Sequence, residues 1–126
     1  LFHQQFQVLP VQKLFSQIEV GMTLDVGHAS AYDKGPEEYI TKFRRKIKHI
    51  HMHDNDKKSD LHLPIGTGKI DFKKVISKLK EFYNDTITLE IHANDDDYLK
   101  ISREKLEILL FGKKKFQENQ KYICPK

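Results

Sequence analysis

A single cysteine, Cys124, stands in the 126-residue chain, so no internal disulfide can form. A reducing compartment, the cytoplasm, is therefore the expectation. No apolar run approaches the roughly 20 residues needed to cross a bilayer, and no membrane partner is expected. The opening LFHQQFQVLPVQ lacks the basic-then-apolar layout of a secretory leader. Low-complexity tracts and linkers are missing too. Neither sign of charge dominates: 22 Lys and Arg against 18 Asp and Glu leave +4. That excess is scattered apart from Arg44–Arg45–Lys46–Lys48 and Lys113–Lys114–Lys115, and by itself gives little weight to nucleic-acid binding.

What remains is an ordinary globular composition, 38% hydrophobic and 32% charged, in a length that suits one domain with a modest core. Histidine is the exception. Five of the seven, His28, His49, His51, His53 and His62, lie between positions 28 and 62, so the chemistry is expected there.

The chain reads α-β-α-β-α-β-α. Val11, Leu14, Phe15 and Ile18 have helical spacing, and Gly21 stops that helix before a strand from Met22 to Val26. Pro36 opens PEEYITKFRRKI as a helix with acidic residues at its start and basic residues at its end. KHIHMHD is the next strand, followed by the polar loop DNDKKSDLHLPIGTG. DFKKVISKLKEFY carries the stripe Phe72, Val75, Ile76, Leu79 and Phe82. TITLEIH is a β-branched strand, a last helix covers about Tyr98 to Leu110, and residues 111–126 form a basic tail.

Strands alternating with helices imply parallel strands and right-handed crossovers. Two architectures fit: a small open α/β sandwich, or the last three βα units of a (β/α)8 barrel, which needs about 250 residues when complete. Side-chain alternation separates them. Leu24, Ile50, Met52, Ile87 and Leu89 fall on apolar faces, while Asp25, His49, His51, His53, Thr88, Glu90 and His92 fall opposite. A doubly wound sheet would be apolar on both faces. One polar face whose ionisable groups sit near the C-terminal strand ends favours a barrel interior.

Asp25, His51 and Glu90 occupy matching positions on three successive strands. Two carboxylates and an imidazole on rigid elements suit Mn²⁺ or Zn²⁺, with Mg²⁺ and Co²⁺ also compatible. Singly, each would pass for a polar residue at a strand end; together on one face they predict a cation site. His28 and the Asp60-x-His62 pair stand in adjoining loops as further candidates. His28 also fits a helix-capping or substrate-contacting role. His49 and His53 read as structural or supporting groups, and His3 and His92 as surface residues.

LDVGHAS, HIHMHDND, DLHLPIGTGKIDF and TLEIH together resemble the xylose-isomerase-like barrel superfamily of sugar isomerases, ketose 3-epimerases and endonuclease IV-type AP endonucleases, over about residues 10 to 110. The resemblance implies an α/β fold that is the incomplete C-terminal part of a (β/α)8 TIM barrel, about strands 6–8, in one partial domain. It implies that Asp25, His51 and Glu90 are metal ligands, with Glu90 also an acid/base group. His28 resembles a substrate-contacting group in epimerases and a ligand of an additional zinc in the endonucleases, with Asp60 and His62. Asp25-Val26-Gly27-His28 and Leu89-Glu90-Ile91-His92 depart from the endonuclease pattern and favour the sugar branch. The family's strand-5 Glu has no counterpart here, so a fragment, or a half-barrel completed by a second copy, is expected.

The resulting expectation is a divalent-metal-dependent isomerase or epimerase of a small sugar-like substrate, with Glu90 and His28 in catalytic roles. The alternatives are a zinc-dependent AP endonuclease acting on DNA, and a non-catalytic barrel fragment.

Overall fold

The computed structural model describes residues 13, 16, 17, 20–32 and 34–117. Strands β1 (Met22–Asp25), β2 (Ile47–Met52) and β3 (Ile87–Leu89) form one parallel sheet in that order. Helices α1 (Val26–Tyr32) and α2 (Pro36–Phe43) join β1 to β2, and α3 (Phe72–Leu79) joins β2 to β3. Helix α4 (Asp97–Phe111) follows β3. A parallel sheet with intervening helices is an α/β fold consistent with part of a TIM barrel.

The alternation read from sequence decides which face is covered. Leu24, Ile50 and Met52 are buried and pack under Tyr39, Ile40 and Phe43 of α2 and Phe72, Val75, Ile76 and Leu79 of α3. Each such aliphatic or aromatic side chain contributes about 1.5–3 kcal/mol relative to leaving it in water. Thr23, Asp25, His49, His51, Thr88 and Glu90 share the other face and are only partly buried or exposed. Lys48 breaks the alternation. Met22 pairs with Ile47 but Thr23 with His49, so Lys48 is the extra residue of a bulge and is exposed.

Several boundaries differ from the sequence reading. The first strand stops at Asp25, and Val26 begins α1, a helix the sequence reading left out. The cause is a cap: Asp25 Oδ1 accepts the His28 main-chain N–H at 2.9 Å, satisfying an otherwise orphaned donor of the first turn. Helix α2 ends at Phe43 rather than running to Ile47, because the Lys46 N–H turns back to the Phe43 carbonyl at 2.7 Å. Strand β3 ends at Leu89, yet the Glu90 N–H still donates to Met52 O at 3.0 Å and keeps Glu90 in line with its strand.

At the N-terminus, Lys13, Ser16 and Gln17 are helical. The apolar stripe read there (Val11, Leu14, Phe15, Ile18) lies outside the described residues, as do His3 and Cys124. Of the basic tail, residues 113–117 are helical and 118–126 lie outside. Among the described residues, no helix is long and apolar enough to cross a membrane.

Candidate metal centre

Three strand ends and one loop bring seven ionisable side chains together. Asp25 closes β1, His51 lies one residue before the end of β2, and Glu90 follows β3. His51 Nδ1 is 2.8 Å from Glu90 Oε1 and 4.0 Å from Asp25 Oδ2. His28, in the first turn of α1, places Nδ1 3.1 Å from Asp25 Oδ2 and Nε2 2.9 Å from Asp60 Oδ2. His62 Nε2 is 3.1 Å from Asp60 Oδ1.

The loop carrying Asp60 and His62 is held by a buried knot. Asp54 and Leu63 exchange two main-chain hydrogen bonds at 2.8 Å, so the chain leaves β2 and returns beside its own exit. The Asp54 carboxylate is fully buried and accepts four main-chain N–H groups: Asn55 and Ile70 on Oδ1, Gly66 and Gly68 on Oδ2. A Cβ on Gly68 would strike Asp54 Oδ1 and the Asn55 carbonyl, so glycine is needed there for close approach. Asn55 Nδ2–H donates to the Gly27 carbonyl at 2.7 Å and ties this loop to the start of α1, beside Asp25 and His28. His62 itself sits at φ 48°, a left-handed backbone uncommon outside glycine.

His53 is the residue that sequence reasoning undervalued. Its ring is fully buried, with Nε2 3.1 Å from Asp25 Oδ1 and 3.6 Å from Asp60 Oδ1. It stacks on His62 with ring centroids 3.8 Å apart. Its position two residues after His51, on the same face by alternation, was the available signal. His92, read as a surface residue, is exposed and stacks on the other side of His62 at 4.1 Å. His49 is taken up structurally: Nδ1 and Nε2 each lie 2.9 Å from a threonine hydroxyl, of Thr86 and Thr88.

The hydrogens these groups carry decide whether a cation suits them. His62 Nδ1 lies 2.8 Å from the Glu90 main-chain carbonyl, which only accepts, so Nδ1 carries the hydrogen. In the neutral ring, Nε2 then turns a lone pair toward Asp60 Oδ1. Lone pair against carboxylate is repulsive unless a proton or cation lies between. His28 has the same difficulty, since a neutral imidazole has one hydrogen for two carboxylates. Both ring nitrogens of His53 are buried with no partner in hydrogen-bond geometry, so its 3.1 Å approach to Asp25 is favourable only when a proton or a cation supplies positive charge there. Two overlapping groups, Asp25–His53–Glu90 and His28–His53–Asp60–His62, each bring one ligand atom per residue within 4.8 Å of the others. Mixed imidazole and carboxylate donors short of positive charge fit a divalent ion.

The same balance shows in proton affinity. Burial alone would raise the Asp25 carboxyl, but His53, the His28 N–H and the two imidazole charges hold it below its ordinary 3.8. Burial alone would lower His53, yet Asp25, with Asp60 behind it, holds it above its ordinary 6.5. A raised histidine stabilises the fold fully below its unfolded value, and that contribution is lost as pH rises through the folded one. A depressed carboxyl stabilises above its unfolded value, and is lost as pH falls through the folded one. The two contributions overlap between 3.8 and 6.5. In metal-stripped protein, the melting temperature is expected to fall as pH rises above the ordinary histidine value of 6.5, and Asp25→Asn should flatten that slope. An unchanged slope in the variant would remove the pairing as its cause.

Comparison with known proteins gives matches of three kinds. The family model described as xylose isomerase-like TIM barrel matches residues 9–110. Two uncharacterised proteins of Methanocaldococcus jannaschii are each 38% identical, one over 109 residues (81% of this chain) and one over 92 (73%). A crystal structure of a D-tagatose 3-epimerase-like protein superposes with TM-score 0.70 at 35% identity, covering 83% of this chain and 41% of that one. The chain spans 36% of the length of each archaeal relative.

Proposed function

Since the chain belongs to the xylose isomerase-like TIM-barrel family, we propose that the protein is a divalent-metal-dependent isomerase or epimerase of a small polyhydroxylated carbonyl compound. The observation that carries this reading is the convergence of Asp25, His51 and Glu90 at neighbouring C-terminal strand ends, with His51 Nδ1 2.8 Å from Glu90 and 4.0 Å from Asp25. Likeness to a D-tagatose 3-epimerase-like protein supports a ketose as substrate. In this reading β1, β2 and β3 are the last three strands of the barrel.

Asp25, His51 and Glu90 would hold the ion, with His28, Asp60 and His62 as a second set of donors beside it. A bound Mn²⁺ or Zn²⁺ supplies Lewis-acid polarisation of the substrate carbonyl and chelation of adjacent oxygens. Glu90 does the proton work. Its carboxylate, against His51 Nδ1 at 2.8 Å, is held at the strand end where it takes a proton from the carbon next to the carbonyl. Return of a proton to the opposite face needs a second acid, which the family resemblance puts on the strand before β1. When the second set of donors holds no ion, the His28 ring, exposed at the mouth of the cluster, can turn Nε2 from Asp60 to a substrate hydroxyl.

Chelation of the bound metal is expected to abolish interconversion of the ketose substrate, and Mn²⁺ or Co²⁺ to restore it. A panel of ketoses and aldoses assayed after such treatment checks this. Full activity in chelator, or no turnover of any sugar with metal restored, would sink the proposal. The group around Asp60 and His62 favours a second reading, metal-assisted phosphodiester hydrolysis. Zinc-dependent, His62-dependent cleavage of abasic-site DNA would support that reading instead.

A further inference from the structure

His53 has no assigned task in the chemistry above, yet its surroundings are built around it. The ring lies fully buried, one face on His62. Its Nδ1–Cε1–Nε2 edge points at Gly27, where a Cβ would fall inside the imidazole. Glycine at that turn is what lets the ring stand between β1 and the loop. Neither nitrogen has a hydrogen-bond partner, which is rare for a buried polar group and calls for an absent one. Nε2 meanwhile faces one carboxylate from each side of the cluster, Asp25 Oδ1 at 3.1 Å and Asp60 Oδ1 at 3.6 Å. Of all the described residues in the two ligand groups, His53 alone belongs to both.

We propose that His53 Nε2 is a metal ligand shared between the two groups, so that an ion held with Asp25 and Glu90 and an ion held with Asp60 and His62 compete for one lone pair. The inference rests on the metal-dependent reading and adds a ligand and a rule of occupancy to it. Coordination through Nε2 keeps the ring hydrogen on Nδ1. An imidazole nitrogen has a single lone pair, so whichever ion takes it leaves the other set one donor short. One tight ion and one weak one follow, rather than two equal ones.

The test reads the ring itself. In the intact protein labelled with ¹⁵N-histidine, the imidazole nitrogens are followed by NMR through a Zn²⁺ titration, with calorimetry in parallel. The His53 Nε2 resonance is expected to move with the first equivalent, while His49, occupied by two threonine hydroxyls, stays still. His53→Asn and His53→Ala are expected to weaken the first ion by at least about tenfold, the lower end of what losing even a supporting group near a metal costs. If the variants fail to fold, the wild-type spectrum alone decides. Zinc binding that moves His51 and His62 but not His53 would overturn the proposal and leave the metal-dependent reading standing. Two ions of equal affinity would overturn the sharing. No binding heat and no moved ring would overturn both.

Discussion

Turnover by the Glu90→Gln variant is expected to fall by about 10²–10⁴-fold, the usual contribution of a positioned general base, when enzyme and variant are both saturated with metal and substrate. Glutamine has nearly the same shape and keeps one oxygen as an acceptor toward His51 and a cation. It cannot take a proton at any useful pH, so the substitution removes the proposed chemistry with little change in packing. The Glu90 N–H bond to Met52 O holds the residue by its backbone, and a change of side chain leaves that contact intact. Loss of a negative ligand also weakens metal binding, which is why the comparison is made at metal saturation. Solvent-deuterium exchange at the substrate carbon next to the carbonyl should fall in parallel with kcat. A variant that retains turnover within about threefold, far inside the range for a lost base, would remove Glu90 from the proton path.

Asp54→Ala is expected to be the most damaging single change to stability. Four main-chain N–H groups end on that carboxylate, which is itself out of contact with water. Each buried donor left without an acceptor costs about 1–3 kcal/mol. Local relaxation and entering water recover part of this, so a net loss of about 3–5 kcal/mol is expected. Against a typical total of about 5–15 kcal/mol, that is a large fraction. Urea unfolding of the metal-free protein measures it. Asp60→Ala is the contrast: among the described residues that carboxylate faces the imidazoles of His28, His53 and His62, so its loss should lower metal affinity and leave the unfolding midpoint nearly in place. Equal midpoints for the two variants would refute the role given to Asp54.

The sheet was legible in the sequence because alternation is a strong signal: pairing β2 one residue out of register would turn both Ile50 and Met52 to the opposite face. The same signal put Asp25, His51 and Glu90 on one face. The bulge at Lys48 was not legible, since a bulge is a property of pairing between strands and not of either strand alone. Helix α1 was hidden for a local reason: VGHASAY has no apolar period, and its start depends on Asp25 acting both as strand end and as cap. His53 was passed over because a buried histidine is ordinarily a satisfied one, and only coordinates show that its nitrogens have nothing to satisfy them. Asp54 and Asn55 were unreadable because the amides they hold come from as far away as Ile70, and the carbonyl from Gly27.

The Asp54–Leu63 bridge closes the excursion of residues 55–62 at its neck. A segment pinched off in this way is spliced onto the barrel wall rather than woven into it. Its tip can be lengthened, shortened or rewritten while the register of the three strands stays as it is. Two of the seven gathered side chains, Asp60 and His62, thus ride on an exchangeable insert and the other five on a fixed frame, an arrangement in which descendants of one scaffold can acquire new chemistry by altering a few positions in a single surface segment.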